Sequence, residues 1–146
     1  MPLNLIKLCV GVEDIEQLRA FQSARAEAMR AAGLEPRQAH VTRMTPRRRD
    51  ELLDGGSLYW VIRGRIQVRQ KLLDVDPFTD DDGIKRCRLV LSPKLIVVRP
   101  QPRRAFQGWR YFDGEDAPDD IGPVGEGDDD PIPAAMRAEL TEMGLI

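Results

Sequence analysis

The chain has 146 residues, of which 42% are hydrophobic and 32% charged, a composition that is ordinary for one globular domain with one core. Its formal net charge of −2 hides a segregation, because residues 36–110 carry 17 Lys and Arg against 8 Asp and Glu, whereas residues 111–146 carry 1 against 11. The apolar N-terminal run is too short and interrupted for a signal or membrane-spanning segment, so we expect a cytoplasmic protein with no membrane partner.

Cysteine usage agrees with that compartment. The two cysteines, Cys9 and Cys87, lie in apolar runs and form no close-spaced metal or redox motif. We therefore expect buried free thiols in a reducing environment, with no cofactor and no metal site.

The first half of the chain predicts two strands and two helices. Residues 3–12 form an apolar run typical of a strand, and Glu13 and Asp14 follow it as acidic residues suited to the first turn of a long helix. Gly33 is the expected cap of that helix, and residues 39–44 predict a second strand. A short helix is predicted from Pro46 to residue 53, with Arg47, Arg48 and Arg49 in its first turn. Arginines oppose the helix dipole there, which points to an anion nearby.

A basic hairpin follows. Residues 58–62 and 65–73 predict antiparallel strands joined by a two-residue turn at Arg63-Gly64 or Gly64-Arg65. In that register one face is apolar, with Tyr59, Val61, Ile66 and Val68. The other face carries Leu58, Trp60 and Ile62 beside Arg65, Gln67 and Arg69. An exposed ring flanked by guanidinium groups is suited to base stacking and phosphate contact, although a three-residue bulged loop would reverse the faces.

The rest of the chain completes the predicted domain. Residues 84–91 and 94–99 predict another strand pair, and residues 99–104 an extended basic segment. We expect a single α+β domain over residues 1–112, an acidic disordered linker over 113–133 and a short helix over 134–146. The predicted architecture is a mixed bent sheet or partly open β-barrel of five or six strands, with one long N-terminal helix and one short helix.

The candidate nucleic-acid-binding residues are the arginines and aromatic or amide side chains of this basic body. They are Arg43, Arg47, Arg48, Trp60, Arg63, Arg65, Gln67, Arg69, Arg103, Arg104, Trp109 and Arg110. The alternative reading of the same residues is a core tryptophan and a solvated arginine face. No catalytic residues are assigned, since His40 is the only histidine and no serine lies in a nucleophile elbow.

Two resemblances follow from these segments. The stretches at residues 5–11, 55–62, 87–91 and 106–111 resemble the alphaproteobacterial family known as domain of unknown function 1489, over about residues 1–118. The order of a glycine-led aromatic strand, a strand running into residues 74–78 and a strand ending in a Pro-rich basic segment is similar to PUA-like domains of the EVE and ASCH types. That resemblance implies a small mixed barrel, and many such relatives bind RNA or modified bases. The chain departs from it by having Gly55-Gly56-Ser57 in place of the usual Gly-Asp pair.

The leading hypothesis is therefore a nucleic-acid-binding module, with RNA or single-stranded or modified nucleic acid as the partner. Under a second reading the acidic tail contacts the basic body and competes with the ligand. One alternative function is a small hydrolase or amidase on a nucleoside-like substrate, with Lys71, Thr42 and Glu51 as candidate groups. Another is a protein-interaction adaptor. The oligomeric state is left open.

Overall fold

A computed structural model describes residues 2–123, and within them the chain forms eight strands and two α-helices. The elements in chain order are β1 (Leu3–Leu8), α1 (Ile15–Ala31), β2 (Gln38–Thr42), α2 (Arg49–Leu53), β3 (Ser57–Ile62), β4 (Arg65–Thr79), β5 (Lys85–Leu91), β6 (Ile96–Pro102), β7 (Trp109–Asp113), a 3₁₀ turn (Gly114–Asp116) and β8 (Asp120–Pro123). Neither α1 nor α2 is long and apolar enough to cross a membrane. The α+β class with one long and one short helix is confirmed, but the sheet is larger than predicted.

The sheet is mixed and does not close into a barrel. β3 lies at its centre, parallel to β1 and antiparallel to β4, and β7 pairs with the outer side of β1. β4 is long enough to pair with two strands in addition to β3: its first part pairs with β6, and its second part with β5, which pairs in turn with β2. β8 pairs with β6. The length and shifts of register of β4 bend the sheet at this strand.

Both faces of the centre are covered. All six residues of β3 are buried, as expected for a strand whose apolar run is continuous and which pairs in parallel. One face meets α1 and α2 in the larger core, which contains Trp60. The other face belongs to a smaller core with Tyr59, Val61 and Phe112.

The hairpin turn is confirmed at Arg63-Gly64, but the predicted faces are wrong. Arg63 and Gly64 both have positive φ, 53° and 77°, which is the two-residue turn that suits twisted strands. Beyond it Trp60 pairs with Val68 and Val61 with Ile66, so Gln67 is an extra residue in β4. This bulge lies within the strand and reverses the alternation after it, which places Val68 in the core of Trp60.

The short helix starts later than predicted. It spans Arg49–Leu53, so Arg47 and Arg48 precede it and only Arg49 lies in its first turn, beside the acidic residues Asp50 and Glu51, which suit the helix dipole. Behind it Gly56 approaches two backbone carbonyls, and a Cβ there would overlap the oxygens of Leu3 and Leu52. Glycine therefore lets α2 end directly against β1.

The sheet continues beyond residue 112. β7 ends at residue 113, and residues 120–123 form β8, so part of the acidic segment belongs to the sheet. Sequence reasoning missed β7 and β8 because both are short, and because β8 contains Gly122 and Pro123, residue types that are depleted in strands. The rest of the predicted linker and the terminal helix lie outside the described residues.

Candidate nucleic-acid interface

The structure divides the predicted arginines into those paired with carboxylates and those without such a partner. Arg48 pairs with Glu51, and Arg69 makes a bidentate pair with Asp120, with Nε–Oδ1 and Nη2–Oδ2 distances of 2.8 and 2.7 Å. Hydrogen bonding between the partners lowers the pKa of the Asp120 carboxyl and raises the pKa of the Arg69 guanidinium. Asp120 comes from the acidic segment, so one contact between that segment and the basic body is present.

Unpaired arginines collect at one end of the sheet, around the β3–β4 turn. Arg65 lies opposite Pro102 in the β4–β6 ladder, and the backbone N–H of Arg103 donates to the carbonyl of Gly64 at 2.9 Å. These contacts bring the hairpin and the basic segment together, although they are far apart in sequence. Within residues 2–123, no carboxylate forms an ion pair with the residues of this group, which are Arg63, Arg65, Arg103, Arg104 and Arg110.

Three of these arginines line a cleft of about 420 Å³, which we name the arginine cleft. Its walls are residues 103–106 on one side and β7 on the other, with Ile6 between them. The Arg103 Cζ lies 5.3 Å from the ring centroid of Phe112, and the Arg110 Cζ lies 5.2 Å from that of Phe106. Stacking on a ring orients a guanidinium and leaves its N–H groups available for an anion. Arg104 is exposed beside this pair.

The other face of β7 holds a second, smaller basic group. Trp109 Nε1 donates to the Met44 carbonyl at 2.8 Å, and the Tyr111 hydroxyl accepts from the backbone N–H of Arg47 at 2.9 Å. The two rings pack edge to face with centroids 4.9 Å apart. These contacts fix the loop after β2 beside β7, with Arg43 and Arg47 exposed on it. Trp109 therefore holds this basic loop in position, and its indole N–H is already used in a hydrogen bond.

Trp60 and Gln67 are not on an exposed sheet face. Trp60 is only 3% exposed, its Nε1 donates to Gln70 Oε1 at 2.9 Å, and it contacts the ring of His40. Gln67 is fully buried, and its Nε2 donates to the Ile62 carbonyl at 2.7 Å. The placement of Trp60 agrees with the alternative reading, in which it is a core residue.

Phe106 and Phe112, the aromatic residues of the cleft, were absent from the predicted set. A sequence signal for them exists, because Phe106 follows the basic segment directly and Phe112 is two residues after Arg110. The hydrophobic pattern alone marks both as ordinary core residues, and only the cation–π contacts separate them from the rest.

The candidate hydrolase groups are not assembled by any contact of the described residues. Thr42 on β2 donates its hydroxyl to the Met44 carbonyl, Glu51 on α2 accepts from Arg48, and Lys71 is exposed on β4. Among residues 2–123 there is also no cluster of three His, Cys, Asp or Glu side chains suited to a metal ion.

Comparison with known proteins places the chain in a family. A family model described as "Protein of unknown function (DUF1489)" matches residues 5–146, so the chain belongs to this family. No curated protein and no solved structure matches it. The resemblance to PUA-like domains is accordingly not confirmed.

Proposed function

We propose that this member of the DUF1489 family binds single-stranded nucleic acid, with RNA as the favoured ligand, through the arginine cleft. The observation that carries the proposal is that no carboxylate of residues 2–123 pairs with Arg103, Arg104 or Arg110, in a cleft where two guanidinium groups lie against aromatic rings. Several other arginines of the basic body, among them Arg48 and Arg69, have carboxylate partners within the described chain. The cleft is thus one place where cationic charge is left for a ligand, and it is the one that also presents aromatic rings.

Single strands suit this cleft better than a duplex. Phe106 is half-buried, so part of its ring is accessible beside the guanidinium groups. In a duplex the faces of the bases are covered by their neighbours, whereas an unpaired base can stack on an aromatic ring or a guanidinium plane. Phosphates on either side of that base would then contact Arg103 and Arg104.

The exposed arginines beside the cleft extend the path of the strand. Arg63 lies in the hairpin turn next to the basic segment, while Arg43 and Arg47 lie beyond the edge strand β7. In our proposal a strand of several nucleotides runs from the turn through the cleft and across this edge. This site size is in the range of small single-strand-binding domains, about 4–16 nucleotides.

The test is a fluorescence-anisotropy titration of the full chain with a labelled ten-nucleotide RNA and its duplex. Arg104→Ala is the principal variant, because its exposed side chain stacks on no ring and its loss should leave the fold intact. Arg88→Ala is the control for the loss of one arginine charge outside the cleft, since Arg88 lies 4.3 Å from the Phe78 centroid and is paired with Asp76 at 3.0 Å.

We expect tighter binding to the single strand than to the duplex, weaker binding by Arg104→Ala and unchanged binding by Arg88→Ala. Equal loss in both variants would indicate a general charge effect and contradict a site at the cleft. Absence of binding at low salt would remove the proposal altogether.

Two finer points belong to the same proposal. The resemblance to PUA-like domains favours RNA over DNA as the ligand. The buried free thiols of Cys9 and Cys87 favour a reducing compartment, and hence the cytoplasm, where RNA is available.

A further inference from the structure

A second cavity lies on the opposite face of the sheet from the arginine cleft. It has a volume of about 200 Å³ and opens between α1, β2 and the segment after β1. Its walls include Trp60 and Leu18 of the larger core, whereas the cleft is lined by Ile6 and Phe112 of the smaller one. We name this cavity the glutamine pocket, because Gln22 and Gln38 line it and Gln70 supports it.

The polar groups of the pocket are held by a hydrogen-bond network. Gln70 Oε1 accepts from Trp60 Nε1 at 2.9 Å and from Gln22 Nε2 at 2.8 Å, and Gln70 Nε2 donates to the Ser92 carbonyl at 2.9 Å. Gln38 Nε2 donates to the Gln22 carbonyl at 2.8 Å. Such a network restricts the rotamers of its members, so the pocket is organised before any ligand arrives.

Two polar groups at the pocket have unused hydrogen-bonding capacity. Gln38 Oε1 is buried and has no hydrogen-bond partner among residues 2–123, which is costly unless a ligand or water supplies a donor. Within the described chain, the ring nitrogens of His40 make no hydrogen bond either. Gln38 and His40 are two residues apart on β2, so both side chains leave the strand on the same face.

The shape and charge of the pocket limit what it can hold. The rings of His40 and Trp60 are perpendicular, with centroids 5.1 Å apart, so they form a corner that suits a flat ring. Burial and the nearby charges of Lys7 and Arg25 lower the pKa of His40 to about 4, which leaves a neutral imidazole with one donor and one acceptor. The same cations disfavour a positively charged ligand. Sites for drug-sized ligands have volumes of about 300–1,000 Å³, and the glutamine pocket is smaller than that. It can therefore hold one ring but not a whole nucleotide.

We propose that the glutamine pocket binds a flat, uncharged nitrogen heterocycle in which a ring N–H lies beside a carbonyl group. The N–H donates to Gln38 Oε1, and the imidazole N–H of His40 donates to the carbonyl. Val10 and Phe21 are exposed at the mouth, where they would cover the apolar edge of the ligand. The heterocycle is either a free small molecule or an unstacked base of a nucleic-acid strand.

The single histidine makes the test direct, because the His40 imidazole gives one set of NMR signals. Uridine and 3-methyluridine are titrated into the full chain with ¹³C-labelled histidine. Uridine carries the N–H beside a carbonyl, whereas the methyl group of the analogue removes that donor. We expect a saturable shift of the His40 signal with uridine and none with 3-methyluridine. Equal shifts with both nucleosides would overturn the proposal.

An octauridylate strand distinguishes the two sources of the heterocycle. A shift with uridine assigns a free ligand, and a shift with the strand alone assigns an unstacked base, while no shift with either overturns the proposal. Because the pocket and the arginine cleft lie on opposite faces, failure of strand binding in the anisotropy test leaves the uridine titration intact.

Two glutamine variants provide a matched pair. Gln38→Met and Gln67→Met each remove a buried amide that donates one hydrogen bond and whose Oε1 has no partner within the described part of the chain, but only Gln38 lines the pocket. We expect uridine to bind about fivefold more weakly to Gln38→Met, the effect of one neutral hydrogen bond, and unchanged to Gln67→Met. His40→Phe, which keeps a ring against Trp60, should weaken binding similarly in ligand-observed NMR. Unchanged binding by both Gln38→Met and His40→Phe would overturn the proposal.

Discussion

Replacing Trp60 tests whether this residue stabilises the core or binds a ligand. Its side chain is 3% exposed, packs in the larger core and donates to Gln70 Oε1 at 2.9 Å. Truncation of a buried aromatic residue to alanine costs about 3–5 kcal/mol, because it leaves a cavity as well as losing apolar burial. A domain of this kind has a total stability of about 5–15 kcal/mol. Trp60→Ala should therefore lose a large part of the free energy of unfolding.

Urea denaturation followed by circular dichroism measures this loss. We expect the midpoint to fall while the slope with urea stays unchanged, which indicates a change of stability without a change of compactness. Trp60→Phe should lose less, since it keeps a ring and forfeits mainly the indole hydrogen bond, worth about 1 kcal/mol. Trp109→Ala is the control: that side chain is half-buried and makes one hydrogen bond, so its loss should be smaller than that of Trp60→Ala.

The result that would refute this reasoning is specific. A Trp60→Ala variant with stability within about 0.5 kcal/mol of the parent, the usual range for surface substitutions, would contradict a buried indole. If that variant also lost affinity for RNA, the exposed stacking face predicted from the sequence would be correct after all.

Three further predictions concern charge and backbone. If the arginine cleft neutralises three phosphates, the logarithm of the association constant should fall with that of the salt concentration with a slope of about −2, since each phosphate contributes about −0.7 on a single strand. Anisotropy titrations at four salt concentrations measure this slope, and a slope near zero would contradict phosphate contact. Gly56→Ala should lower the thermal midpoint markedly, because its Cβ would overlap the carbonyl oxygens of Leu3 and Leu52; an unchanged midpoint would contradict this close approach. The lowered pKa of Asp120 means that its pair with Arg69 contributes stability above the ordinary carboxyl pKa, about 3.9, and that this contribution is lost as the pH falls toward the folded-state value. The stability difference between the parent and Asp120→Asn, from urea titrations at several pH values, should therefore shrink below about pH 4; a constant difference would show that the pair contributes nothing.

Local signals in the sequence were sufficient for the first elements of the fold. The acidic residues expected at the start of α1 are there: Asp14, predicted in the first turn, is the N-cap, and its carboxylate accepts from the Gln17 N–H at 2.7 Å. The two-residue turn follows equally from Gly64, which tolerates positive φ, although the sequence left open whether Arg63 or Arg65 is the other turn residue. These features depend on neighbours within a few residues, which is the range over which a sequence pattern acts.

The bulge at Gln67 shows where such reasoning ends. One extra residue in β4 exchanges the two faces of the strand, and nothing in the alternation of apolar residues marks its position. The predicted binding face therefore does not exist, because Trp60 and Gln67 both lie in the interior instead of on a surface.

The sequence by itself determined the α+β class, the long helix, the hairpin and the concentration of positive charge in the middle of the chain. Only the tertiary structure decided which of those charges are available. Arg69 is paired with Asp120, fifty-one residues away in the sequence. Arg103 lies against Phe112 and Arg110 against Phe106, and neither arginine has a carboxylate partner in the described chain. The same holds for Gln38 and His40, which line the glutamine pocket together, and Gln38 Oε1 there has no hydrogen-bond partner among the described residues. Pairing and burial are properties of residues brought together across the sheet, and a linear pattern of residue types does not contain them.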